Sequence, residues 1–124
     1  MKLKILSIIW SIIYIGWGLG LVIIPAPLMA IYGLTLDSNG ILMARLLGAA
    51  LTSFGLTFWL NQNILPTEKS WYNLLLTSFI YNLIAIPLAL VATLEGVMSS
   101  IGWIAVGLHI FLAATFGYFS FKKY

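Results

Sequence analysis

The chain has 124 residues, 62% of them apolar and only 7% charged, with a formal net charge of +3 and no cysteine. Soluble domains carry about 25% charged residues, and a chain this short folded in water could not hide so much apolar surface. The composition excludes a soluble domain, the small charge gives no footprint for nucleic acid, and the missing cysteines exclude disulfides, thiolate nucleophiles and cysteine-ligated zinc or iron–sulfur centres.

Four apolar stretches, residues 5–24, 41–60, 71–94 and 98–121, fill most of the chain. Each holds about 20 or more residues, enough to cross a hydrocarbon core of roughly 30 Å as helix. The expected fold is an all-α integral membrane protein, an antiparallel bundle of four transmembrane helices forming one domain over residues 1–124. Lipid bilayer is its first partner.

The first stretch follows Lys2 and Lys4, a basic flank like that of a signal peptide. Its apolar run is longer than a signal h-region, and Pro25-Ala26-Pro27 stands where a small-residue cleavage site would be needed. It reads as a retained helix ending at Pro25. Pro27 is expected to open a short interfacial helix over residues 27–33, with Gly33 as its stop. Asp37, Ser38 or Asn39 could cap the second span.

The second span ends near Asn61-Gln62-Asn63, and the polar run Pro66-Thr67-Glu68-Lys69-Ser70 leads to the third, with Ser70 as its expected N-cap. Pro87 lies inside the third span and is expected to kink it. Glu95-Gly96 breaks the chain, Ser99 or Ser100 could cap the fourth span, and the short connection implies a tight hairpin.

Four crossings would put Lys2, Lys4, Lys69, Lys122 and Lys123 on one side, with Asp37 and Glu95 on the other. The positive-inside rule then places both termini in the cytoplasm. Trp59, Trp71, Tyr72, Phe119 and Tyr124 would form an inner aromatic belt, with Tyr32 and Trp103 toward the outer face.

Each span carries a small or polar stripe at helical spacing: Ser7, Ser11, Tyr14 and Gly18; Arg45, Gly48, Thr52 and Gly55; Ser78, Asn82, Ala85 and Ala89; Gly102, His109, Ala113 and Gly117. Small residues let helices approach closely in lipid, and packing alone accounts for the stripes. By depth, Tyr14, Thr52, Asn82 and His109 fall near the bilayer midplane. They are the candidate ligand-binding residues, a polar spot able to orient a lipid-like or pigment-like molecule. Hydrogen bonding of Asn82 and His109 to each other or to backbone carbonyls is the structural alternative. His109 is expected inside the bundle, close to Asn82 or Tyr14, as a neutral ring that donates one hydrogen bond and accepts another.

As the only histidine, His109 is the only imidazole available to haem or chlorophyll magnesium, as a single axial ligand or as one half of a pair across a dimer. No other cofactor and no metal site is expected. Arg45 is placed about one turn inside the second span, where it could pair with Asp37 or Glu95 at the outer end of the bundle. The three could equally form an anion site for a headgroup or acidic substrate.

Gly16-Trp17-Gly18-Leu19-Gly20 follows no strand, so it is no phosphate loop. Gly16 and Gly20 read instead as a small-residue helix contact or dimer face. No nucleophile elbow, His-Glu-x-x-His pair or intramembrane carboxylate pair is present. The first span also lacks the membrane-embedded acid expected of a small proton-coupled exporter.

Pro25 with Tyr32-Gly33, then Arg45-Leu46-Leu47-Gly48-Ala49 and Gly55-Leu56, resemble the corresponding stretch of the DoxX-like group of small bacterial membrane proteins. That resemblance covers residues 25–56 and implies a four-helix bundle in the bacterial cytoplasmic membrane, with no catalytic residue to carry over. The function expected is non-enzymatic: an accessory, assembly or subunit protein packing with partner helices or with copies of itself, and holding a lipid or pigment. The alternatives are a subunit of an oligomeric small-solute transporter or channel, and a lipid-modifying enzyme using Arg45, Glu95 and His109.

Overall fold

The computed structural model describes residues 2–122, Lys2 by its backbone alone. The Lys2 side chain, Lys123 and Tyr124, counted above toward the basic side and the aromatic belt, lie outside the described residues. Five helices run in the order α1 Lys2–Ile23, α2 Pro25–Ala30, α3 Ser38–Leu60, α4 Lys69–Leu94 and α5 Gly102–Phe121. No strand occurs among the described residues. α1, α3, α4 and α5 are each long and apolar enough to cross a membrane.

The chain divides into two compact units, Met1–Ile64 and Leu65–Tyr124. In the first, α1 packs on α3 with α2 against both. In the second, α4 packs on α5.

The breaks between helices follow local chemistry. Ile24, forced out of the helical region by the proline after it, has φ −128° and ψ 57°. Pro25, rather than the expected Pro27, opens α2, and Pro27 falls in its first turn, where a missing N–H leaves nothing unsatisfied. α2 ends at Ala30, three residues before the expected stop, and the turn after it closes on Gly33, whose φ of 77° is open to glycine without strain. The Gly33 N–H donates to the Ala30 carbonyl at 2.9 Å and the Leu34 N–H to Met29 at 3.2 Å, which closes the helix end. Tyr32 then sets its ring edge-on to Trp17 of α1 at 5.8 Å, and this burial raises the Tyr32 phenol above its ordinary value.

Asp37 caps α3 by accepting the Gly40 N–H at 2.7 Å, which starts the helix three residues before the expected position. At its far end, the Asn61 and Gln62 side-chain amides donate to the Thr57 and Trp59 carbonyls, satisfying groups that a helix terminus leaves open.

The second unit departs from two expected caps. Glu68 precedes α4 without a side-chain cap, and Ser70 lies inside the helix. The Glu68 carbonyl takes the Trp71 and Tyr72 N–H groups at 3.1 and 3.2 Å. α5 begins at Gly102 instead of residue 98, with no serine cap. Gly96, at φ 74°, reverses the chain, and residues 99–104 make i−3 bonds from Gly102 to Ser99 and from Trp103 to Ser100. That tighter winding delays the α-helix by a turn. α4 continues through Pro87.

A candidate buried polar site

In the first unit the polar stripe of α1 is the helix contact itself. Ser7 and Ser11 are fully buried. The Ser7 hydroxyl donates to the Phe58 carbonyl at 2.9 Å, and Ser11 donates to the Gly55 carbonyl at 2.7 Å. Farther along, Gly18 meets Gly48: a Cβ built at either would stand within 2.6 Å of the other's carbonyl oxygen. Partners on α3 therefore descend, 58, 55, 48, as α1 ascends, 7, 11, 18.

Tyr14, buried, lies edge-on to Phe54 at 5.2 Å and parallel to Phe58 at 6.2 Å. The Thr52 hydroxyl donates to its own helix at Gly48, 2.8 Å away. Both residues belong to the α1–α3 contact.

Two assignments on α3 need correction. The buried stripe is Ala44, Gly48, Leu51, Gly55 and Phe58, and Arg45 is exposed beside it. The earlier helix start also puts Arg45 eight residues past Asp37, about 12 Å along the axis. Asp37 directs its carboxylate to the Gly40 N–H, and Arg45 and Asp37 make no ion pair. Glu95, the α4 C-cap, belongs to the second unit. The Gly16–Gly20 pair is likewise no helix contact within the unit, because Gly16 is exposed and a Cβ added there would meet nothing within 4 Å, while one added at Gly20 would meet Leu28.

The second unit holds the chemically distinctive pair. Asn82 of α4 is fully buried, and its Oδ1 lies 2.9 Å from His109 Nδ1 on α5. The amide nitrogen of Asn82 donates to the Ser78 carbonyl, one turn back, at 2.9 Å. That bond fixes which end of the amide faces the ring. An amide oxygen only accepts, so Nδ1 of His109 carries the proton, and in the neutral ring Nε2 keeps its lone pair.

His109 is half-buried, with Tyr81 edge-on at 6.2 Å. Among the described residues nothing hydrogen-bonds to Nε2. The arrangement can therefore accept a hydrogen bond or hold a single metal centre through Nε2 while Asn82 orients the ring. No group of three or more His, Cys, Asp or Glu side chains that could enclose a bare metal ion occurs among the described residues.

The sequence stripe found both members of this pair by spacing and depth. It contained Ser78 but not the role of that residue: Ser78 is buried, its hydroxyl donates to the Leu74 carbonyl at 2.7 Å, and its own carbonyl accepts the amide N–H that sets Asn82. The i, i+4 spacing of Ser78 and Asn82 was the available signal. Trp71, expected in the aromatic belt, is buried, whereas Trp59, Tyr72 and Trp103 are exposed.

Comparison with protein-family models, with curated proteins and with solved structures finds no match to this chain.

Proposed function

We propose that this chain is a non-enzymatic multi-pass membrane protein, an antiparallel four-helix bundle in a bacterial cytoplasmic membrane with both termini in the cytoplasm. It acts as an accessory or subunit protein that presents the oriented imidazole of His109 to an amphiphilic ligand, a lipid or a pigment. Its resemblance to the DoxX-like group is consistent with that placement.

The observation that carries the ligand half of this reading is the Asn82–His109 bond. A buried amide tied to its own helix holds one ring nitrogen as donor and leaves the other with a lone pair and no partner among the described residues. A histidine kept only for packing would gain by satisfying both nitrogens, because an unpaired polar atom in hydrocarbon is costly. The membrane half is supported by the four long apolar helices and by their outward surface. Ile12, Leu46, Leu60, Leu88, Ile104 and Phe111 are each more than half exposed, an area too large and apolar for water.

Purification in mild detergent, followed by an absorbance spectrum and intact mass of the complex, tests the reading. A co-purifying amphiphile or chromophore that is lost in His109→Leu and weakened in Asn82→Leu supports it. A ligand-free protein whose mass and spectrum match the bare polypeptide overturns the ligand half. Release into the soluble fraction on alkaline extraction overturns the membrane half.

A further inference from the structure

Where α4 begins and α5 ends, the second unit encloses an open recess of about 270 Å³ lined by Thr67, Tyr72, Leu75, Phe119, Ser120 and Lys122. Its walls divide by chemistry. Leu75 is buried and Phe119 half-buried, giving an apolar floor. Thr67 and Tyr72 bring two hydroxyls that make no hydrogen bond among the described residues. Ser120 spends its proton on the Phe116 carbonyl at 2.7 Å and can only accept. The Lys122 ammonium stands at the rim, 5.6 Å above the Tyr118 ring.

The remaining charges of the described residues at this end are Lys69, exposed in the first turn of α4, and Glu68, exposed just before it. Two described cations thus face one carboxylate. Two free hydroxyl donors and an ammonium around one concavity suit an anion with several acceptor oxygens. The recess has the volume of a headgroup, at the lower limit for small-molecule sites of roughly 300 Å³. Whole phospholipids are far larger, so their chains would have to leave along the apolar helix faces.

We infer that this recess binds the phosphate of an anionic phospholipid, with Lys122, Tyr72 and Thr67 as donors and the acyl chains lying against α4 and α5. The inference rests on the membrane reading above, because it needs this end of the hairpin at the headgroup level. In that setting the basic end faces the anionic leaflet, and Tyr72 and Tyr118 sit where amphipathic rings collect.

The test is lipid retention by the full chain in detergent, read by native mass spectrometry after incubation with phosphatidylglycerol, phosphatidylcholine or inorganic phosphate. Wild type should retain one phosphatidylglycerol in preference to phosphatidylcholine, and inorganic phosphate should not displace it. Lys122→Gln should weaken retention about fivefold, the equivalent of ~1 kcal/mol for one basic residue at an anionic surface. Thr67→Trp leaves the charge unchanged and fills the mouth of the recess, so it should weaken retention at least as much.

Equal retention of the two phospholipids overturns the site. Displacement by inorganic phosphate would assign the recess to a soluble anion and overturns the lipid. Loss in Lys122→Gln with full retention in Thr67→Trp reduces the effect to surface charge and equally overturns the site. Alkaline extraction of the same preparation reports separately on membrane insertion, so its failure is distinguishable from failure of the recess.

Discussion

Gly18 and Gly48 exclude each other's side chains: a Cβ on Gly18 would stand 2.6 Å from the Gly48 carbonyl oxygen, and one on Gly48 would stand 2.5 Å from that of Gly18. Backbone meets backbone there, so no rotamer change can relieve an added methyl. Gly48→Ala should destabilise the α1–α3 pair by about 1–3 kcal/mol, as overpacking does, and Gly48→Val by more. Gly16→Ala, with open space around it, should be neutral or slightly stabilising. Thermal unfolding in detergent followed by tryptophan fluorescence checks both, and equal losses at the two glycines would refute the contact.

The Asn82–His109 bond predicts an asymmetry between two amide replacements of the histidine. Asparagine places its amide nitrogen near the position of Nδ1, the atom that faces Asn82 Oδ1, whereas glutamine extends toward the position of Nε2. His109→Asn should therefore preserve stability better than His109→Gln. His109→Leu, which strands the Asn82 oxygen, should lower stability by about 1–3 kcal/mol. The coupling measured by combining it with Asn82→Leu should be near 0.6 and at most about 1.7 kcal/mol. A coupling of zero would mean the bond does not form.

Arg45 is exposed and makes no ion pair with Asp37. Within the first unit, Arg45→Ala should change stability by no more than about 0.5 kcal/mol, as surface substitutions do. Asp37→Ala removes the α3 cap and should cost about 1 kcal/mol. A larger loss at Arg45 would show that its guanidinium is paired.

The distribution of Lys4, Lys69 and Lys122 against Asp37 and Glu95 predicts cytoplasmic reporter activity for fusions at both ends of the chain. Opposite activities at residues 1 and 124 would show an odd number of crossings.

Burial raises the Tyr32 phenol above its ordinary value near 10. Its contribution to stability is complete below that value. It is lost as pH rises toward the folded pKa, because the unfolded chain releases the proton first. A spectrophotometric titration should show late-ionising tyrosine absorbance that Tyr32→Phe lowers by the amount of one residue. An unchanged titration would place that ring in water.

Residue type and spacing were enough to locate the four long helices, to narrow the α3 cap to Asp37, Ser38 or Asn39, and to mark the turn at Gly33. Each of these depends on the chain within a few residues: an apolar run, a carboxylate three residues from an N–H, or a glycine free to take positive φ. Spacing and depth also singled out Asn82 and His109, because a polar residue within a long apolar run stands out without any knowledge of its neighbours.

What surrounded those residues was decided by tertiary packing. Arg45 shared the spacing of the α3 stripe but lost its place to Ala44, since the partner surface chooses which side of the helix is buried and a methyl can be buried there where a guanidinium would lack a partner. Gly16 and Gly20 matched the small-residue motif, yet Gly18 makes the close approach, because the register follows where Ser7 and Ser11 find carbonyls on α3. The proton on Nδ1 of His109 was equally beyond the sequence. It depends on which way Asn82 turns its amide, and that is settled by the Ser78 carbonyl one turn away.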